Sequence, residues 1–567
     1  MTVLLDAERI ATAEPDDIEL VPGPWPLARW CGGWVLITAL GMLAWSLVHN
    51  DGHLVYALDD AGIHLSLVRT LIDHGTWGVV PGQYVSATSS PAWTALLAAF
   101  GFVARPALDV APFLLNLAGV LWAVWVIARE QTFLRPRHRE WAAWIAAPVL
   151  VVFVAFLPSL TLIGMEHGIQ VAITLEVFAC VRQLARGDAS RALVVRYLAL
   201  CFVLGAFRIE GVFVALGTTV ALVLLSSRAL GLRHEEPKWK VAPALALGGG
   251  GVAMAALPFL VYGLVNRANG LPFLPTSIAS KAARVTDERF LGIMRTPRAA
   301  IEIVASDPLL FVGALVVIGY AVSAWFRPPR RHFAIAAALT VTIVMQVFFG
   351  DVGFFERYQA YLIAAELLVV LLVLEEIVPT ARRTAVLVAL LACCIVAGGL
   401  KINATVNTVQ ATSNTYRQRY QLARFLATEY RGVPVASGEL GYITYFHDGP
   451  FVDTLGIGSP EVLREFQRNG VNLPKEFTER VVRENGVKII AGYPSTILES
   501  KPSGWVLVGA WTLDEPKVTA FENQIVFFAP DAASAAEAQA KLDQFAETLP
   551  SNVTYERGEE VIAKIFR

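Results

Sequence analysis

The sequence predicts an α-helical polytopic membrane protein with a water-soluble α/β domain at its C-terminal end. Three observations lead there. Across 567 residues, 55% are hydrophobic and the mean hydropathy is +0.54, too apolar for an ordinary soluble chain. Apolar runs of ~17–25 residues, the length that crosses a bilayer as a helix, recur as far as residue 400. After Lys401 they give way to polar helical patterns alternating with short β-like runs.

Residues 1–29 form a polar, mildly acidic tail (EPDDIELVPGP), too long and too uncharged at its start for a cleaved signal peptide, so the first span is expected to stay as an anchor. About eleven spans follow, at 30–48, 109–128, 141–162, 168–185, 192–207, 211–227, 241–265, 308–326, 333–350, 359–378 and 384–400, within a membrane domain of 30–401. Basic residues mark cytoplasmic loops. Here they fall in alternate loops: Arg129, Arg135, Arg137 and Arg139; Arg186 and Arg191; Arg228, Arg233, Lys238 and Lys240; Arg327, Arg330 and Arg331; Arg382 and Arg383. The tail is therefore expected in the cytoplasm. The first outer loop, 49–108, and everything after 401 are expected outside. Loop 266–307 breaks the rule with Arg267, Lys281, Arg284, Arg289, Arg295 and Arg298, and an anionic ligand is the simplest reason. The run 91–103 holds only 13 residues, short for a crossing, and is expected to lie at the outer interface. The stretch 63–71, with Ile63, Leu67 and Leu71 at helical spacing, is read the same way.

In the C-terminal domain, 402–567, helical patterns at 416–430, 459–468, 476–484 and 532–547 alternate with β-like runs at 433–436, 451–453, 487–490, 505–513 and 525–528. The alternation points to a small α/β domain. Its Trp505, Trp511, Tyr442 and Tyr445 either stack against an acceptor glycan or pack the core, and the domain is expected outside the catalytic parts.

A net charge of −2 excludes nucleic acid as the partner. The five cysteines all fall in hydrophobic segments and make no metal spacing with histidine. A transporter or lipid-linked sugar flippase would place ionisable residues mid-span. Here they sit at span ends, Glu176 being the main exception. A non-catalytic polysaccharide-binding scaffold is the other alternative.

Charges at a membrane edge are costly unless they have a task, and those of the outward loops form an ordered set. Asp59-Asp60 follow the first span, Asp60 and His64 lie off the apolar stripe of the run after it, and Ser89-Ser90 close the loop before Pro91. Then come Glu166-His167 in GMEHG, Arg208 and Glu210 in RIEG, Lys281 in LPFLPTSIASKA, and Arg357-Tyr358 in FFERYQ. Plain structural readings stand beside each. Asp59, Asp60 or Ser90 could cap a helix, Glu166-His167 could be a loop tip, and Arg208 could pair with Glu210. Lys281 and Arg357 could be interfacial anchors, and His64 a rim residue.

These strings, with DDAGI, SSPAWTALL, LPTSIASK, ERY and the later VASGELGYITYFHDGPFVDTLGIGSPEV, resemble the C-type (GT-C) glycosyltransferases. Within them the chain looks most like the bacterial cell-envelope branch that includes the mycobacterial terminal arabinofuranosyltransferase. It departs from that pattern in reading Arg208-Ile209-Glu210 for RPE, His167 for a threonine or serine, and Pro275-Thr276-Ser277 for Pro-Asn-Thr, which leaves the donor sugar open. The resemblance implies a multi-pass protein of the bacterial inner membrane. Its activity would be inverting transfer of arabinofuranose, or another pentose or hexose, from a polyprenyl-phosphate donor to a cell-envelope glycan or glycolipid among the membrane lipids. It implies catalytic roles for Asp59, Asp60 and Glu166, with Asp59 ranked first as base. Lys281, Arg208 and Arg357 would meet the donor phosphate, and His64, His167, Glu210, Tyr358, Ser89 and Ser90 would line the substrate pocket. Some members use a divalent ion such as Mg or Mn and others none, so no cofactor is fixed.

Overall fold

The computed structural model describes residues 22–136, 141–227, 240–284, 289–290, 294–326, 331–353, 355–470 and 472–565. Residues 1–21 of the expected tail lie outside these, as do the basic Arg137, Arg139, Arg228, Arg233, Lys238, Arg327 and Arg330. The chain is a multi-pass membrane protein: among the described residues six helices are long and apolar enough to cross a bilayer. They are Pro24–His49, Arg105–Glu130, Trp141–Ile163, His167–Ala185, Val241–Ala268 and Pro308–Phe326. Arg191–Phe207, Gly211–Ser227, Phe333–Phe349 and Ala360–Ile377 pack among them. The expected span 141–162 is broken. A wide turn at Val149–Val154 follows Pro148, which lacks the N–H that would continue the ladder, and Phe156 then takes φ 56°.

Two of the basic loops, those of Arg135 and Arg383, touch each other. Arg383 Nε and Nη2 donate to Phe133 O at 2.9 and 2.6 Å, and Nη2 also reaches Arg135 O at 2.7 Å. From that end Arg383–Thr415 runs as one helix of 33 residues, about 50 Å, straight past Lys401. It reaches the opposite end of the bundle, where Thr412 bonds Ser46 at 2.7 Å. The mid-span acid Glu176 is neutralised by Arg129, in two bonds of 3.1 and 2.9 Å, and by Arg196, while Trp122 Nε1 donates at 3.1 Å.

Beyond the long helix stands a mixed six-stranded sheet. Its strands are β1 (Val435–Ser437), β2 (Phe451–Asp453), β3 (Ile489–Gly492), β4 (Val506–Leu513), β5 (Gln524–Ala529) and β6 (Val553–Arg557), in the order β2-β1-β3-β5-β4-β6. β1 pairs parallel with β2 and β3; the remaining pairs are antiparallel. Period-2 alternation builds a three-layer domain. Val435, Ile489, Trp511 and Phe527 face Phe425 and Phe545 on one side; Ala436, Ile490, Val526 and Phe528 face Phe466, Phe477 and Val481 on the other. Trp511, Tyr442 and Trp505 are buried, so core packing, not glycan stacking, is their role, and Tyr445 is tied through its hydroxyl to Asp109.

The helix Asp60–His74 corrects its expected place at the lipid interface. Residues 61–68 are all buried, because the helix lies between the bundle and the C-terminal domain. Ile63 and Leu67 join the domain's apolar core, while Ala61, Leu65 and Val68 join the bundle's. Each fully buried aliphatic chain of this kind contributes roughly 1.5–3 kcal/mol. Pro91–Val103 is a separate helix of 13 residues packed beside it.

Candidate functional site

A cavity of about 360 Å³ opens where three parts of the chain meet. The first loop contributes Leu58, Asp59, Asp60 and Ile63, and the bundle contributes Lys281, Asp351, Val352 and Tyr358. The C-terminal domain supplies the remaining wall, including Arg419, Glu439, Leu455, Ile457, Thr519 and Phe521. The domain is therefore part of the site, against the expectation that it would lie apart.

Asp59 precedes the helix Asp60–His74 but makes no side-chain cap bond to it. Its carboxylate instead accepts the backbone N–H groups of Gly441, at 2.7 Å, and Tyr442, at 3.1 Å, from the short helix Gly441–Phe446 of the C-terminal domain. This approach requires glycines. A Cβ on Gly62 would lie 2.7 Å from Tyr442 N, and one on Gly441 would lie 2.1 Å from Asp59 O. Burial pushes the Asp59 carboxyl up to about 6, with Arg419 opposing the rise and Glu439 adding to it.

Asp60 has the opposite environment. Arg357 Nη1 lies 2.7 Å from its carboxylate; the arginine side chain is 1% exposed and the aspartate 31%. Burial alone would raise this carboxyl, but Arg357 and then Lys281 outweigh it and hold it well below the usual range. Arg357 also donates to Tyr358 OH at 2.9 Å and lies 4.7 Å from that ring's centre. It follows two non-glycine residues at φ 62°, Phe355 and Glu356, a sparsely populated conformation that a folded site must hold in place.

Lys281 rides on the helix Thr276–Arg284, which is fixed from two sides. Thr276 N donates to Ser86 O and Oγ at 3.0 and 3.1 Å. The Thr276 and Ser280 hydroxyls donate to Ile457 O and Leu455 O, both at 2.6 Å, in the C-terminal domain. That domain's loop is itself shaped by Asp453, whose carboxylate accepts Leu455 N at 2.8 Å and Gly458 N at 2.6 Å. Among the described residues Lys281 has no hydrogen-bond or ion-pair partner, so its ammonium is presented to the cavity.

Several expected site residues stand elsewhere. Glu166, expected to be catalytic, is fully buried and accepts Ser90 OH at 2.5 Å and Arg208 Nη1 at 3.0 Å. Arg208, expected on the phosphate, spends its other nitrogens on Glu210, at 3.0 and 2.6 Å. The structural pairing of Arg208 with Glu210 is thus what forms. His64 bonds Thr94 Oγ1 at 2.8 Å and His167 bonds Gln170 Oε1 at 3.1 Å. Behind Tyr358, His167 meets the ring edge-on and Arg208 lies 5.4 Å from its centre. Of the expected pocket residues only Tyr358 lines the cavity; His64, His167, Glu210, Ser89 and Ser90 do not. Arg357 does not line the cavity but contacts Asp60 and Tyr358, which do. Mutual neutralisation is the physical reason, since buried charges persist when paired. Arg419 and Glu439 do line the cavity; Arg419 escaped notice because YRQRYQ is an ordinary helical pattern.

A family model described as a domain of unknown function (DUF8728) matches residues 407–529. No curated protein matches the chain. Among solved structures, ArnT from Cupriavidus metallidurans bound to undecaprenyl phosphate is similar with a TM-score of 0.53, at 14% identity over 88% of this chain and 99% of that one. The apo state of the same protein gives 0.50, at 14% identity over 88% and 98%. The oligosaccharyltransferase of Archaeoglobus fulgidus with Zn and sulfate, at 15% identity over 90% and 76%, gives 0.44, too low to carry an argument. At such identities the likeness speaks for the fold: the chain has the GT-C fold and a C-terminal sheet domain.

Proposed function

We propose that this protein is an inverting glycosyltransferase that moves a sugar from a polyprenyl-phosphate donor to a cell-envelope glycan or lipid acceptor. The observation that carries the reading is the single cavity shared by Asp59, Asp60 and Lys281 where the bundle meets its soluble domain. The fold likeness to ArnT, which was solved bound to undecaprenyl phosphate, supports a polyprenyl-linked donor. The finer likeness to the mycobacterial arabinofuranosyltransferase branch, and with it a pentose such as arabinofuranose, rests on the sequence motifs. The meeting of two basic loops at the bundle end away from the cavity supports a cytoplasmic N-terminus and an outward C-terminal domain in a bacterial inner membrane.

In this reading Asp59 takes the proton of the acceptor hydroxyl as its oxygen bonds to the anomeric carbon. The bond from that carbon to the donor phosphate oxygen breaks, and the electron pair leaves with the polyprenyl phosphate. A carboxyl near 6 is suited to base work around neutrality. Asp60, held ionised by Arg357 and Lys281, orients the sugar. Lys281 meets the charge growing on the leaving phosphate, the electrostatic contribution that usually dominates. Among the described residues no three His, Cys, Asp or Glu side chains gather as metal ligands, and no step here passes through Mg or Mn.

The test is purified protein with a polyprenyl-phosphate pentose and an oligosaccharide acceptor. Transfer with inverted anomeric configuration, releasing one polyprenyl phosphate per sugar, is expected. Movement of intact lipid-linked sugar between leaflets, with no bond broken, would establish the flippase alternative instead. The same assay across pH carries a second expectation. Because the ionised form of Asp59 is the active one, kcat/KM should fall as pH drops through about 6 and level off above it. A flat profile across that range would remove Asp59 as the base.

A further inference from the structure

Of the three cations the sequence assigned to the donor phosphate, only Lys281 presents unpaired donors to the cavity. Arg208 is committed to two glutamates and Arg357 to Asp60 and Tyr358. A second cation does face the cavity, from an unexpected quarter. Arg419 sits in the wide turn Tyr416–Tyr420 that ends the long helix, and its side chain is 6% exposed. Its Nε pairs with Glu439, whose own backbone N–H is fixed on Ser437 Oγ at 3.0 Å. Its guanidinium lies 5.5 Å from the centre of the Tyr493 ring, and Tyr493 OH is anchored on Gln418 Oε1 at 3.0 Å. Among the described residues neither Nη group of Arg419 has a hydrogen-bond partner.

A guanidinium that bonds one carboxylate through Nε keeps its two parallel Nη donors available, and those of Arg419 belong to a residue of the cavity wall, where a ligand can supply acceptors. Those two donors form the fork that matches the spacing of phosphate oxygens. Resting on the glycosyltransferase reading above, we infer that Arg419 is the second cation on the donor's phosphate. The phosphate then bridges Lys281 of the membrane bundle and Arg419 of the C-terminal domain. The same two parts are already bolted together beside it, by Thr276 and Ser280 on the domain's 455–457 carbonyls.

Binding of undecaprenyl phosphate and of the uncharged polyprenol, measured on the purified full-length protein, tests this. The wild type should prefer the phosphate. R419Q should weaken phosphate binding on the order of 10- to 100-fold, the worth of charged hydrogen bonds, and leave polyprenol binding unchanged. R419K, which keeps the charge but not the fork, should recover part of the loss. R419Q/E439Q leaves neither partner charged and unpaired, and carries the measurement should R419Q fail to fold. Phosphate affinity at wild-type level in R419Q or in the double variant overturns the inference and leaves Arg419 as the structural partner of Glu439. A wild type that binds polyprenol as well as polyprenyl phosphate overturns the donor reading itself, a distinct outcome.

Discussion

Asp59→Asn is expected to slow sugar transfer about 10²–10⁴-fold, the usual worth of a positioned general base. The substitution is also structural. Both Asp59 oxygens accept backbone N–H groups of the helix Gly441–Phe446, and asparagine would turn a donor toward one of them. Leaving one such buried group unsatisfied costs about 1–3 kcal/mol. Loss of activity alone is therefore an incomplete test. The informative result is a fallen kcat in protein that melts cooperatively and binds undecaprenyl phosphate as the wild type does, because the donor's phosphate is met by cations and not by Asp59. Retention of full transfer by Asp59→Asn would move the base role to Asp60. Retention by the Asp59→Asn/Asp60→Asn double variant would remove the catalytic claim altogether.

Lys281→Gln is the second large effect, and the cleaner one. The ammonium is exposed and has no partner among the described residues, so its removal should change stability by no more than ~0.5 kcal/mol. Its helix is held by Thr276 and Ser280, which the substitution leaves in place. Stripping charge stabilisation from the leaving phosphate should nonetheless cost on the order of 10²–10³ in kcat, as removal of a comparable transition-state donor does. Donors carrying a better leaving group than a phosphate monoester should suffer less. A variant with unchanged kcat would show that the phosphate leaves without help from Lys281.

Much of the fold was legible because it obeys simple periods. Most apolar runs end within a few residues of the observed helices, the last excepted, since its helix runs on to Thr415, and five of the six strands of the sheet were marked by β-branched and aromatic clusters such as 487–490 and 525–528. β6 was not, because Val553–Arg557 is an edge strand whose exposed positions carry Thr554 and Arg557. The helix Gly441–Phe446 was too short for any pattern to declare itself. At the site, Asp59, Asp60, Lys281 and Tyr358 stood out as polar groups at a membrane edge. So did Glu166, Arg208 and Glu210, and nothing in their local sequence says that they neutralise one another across 42 and two residues. Arg419 shows the converse: a free guanidinium fork looks like any helical arginine until the fold withholds its partners.

The unbroken passage of Arg383–Thr415 from the bundle into the soluble domain has a mechanical corollary. A flexible hinge would let the two halves of the cavity drift and re-dock. A continuous helix instead fixes their phase as well as their separation. One extra residue between 402 and 411 would turn everything downstream by about 100° and lift it about 1.5 Å. Arg419 would then swing off the shared cavity wall, although no residue of the cavity had been altered. Register along this strut is as much a part of the catalytic geometry as the identity of the charges it carries.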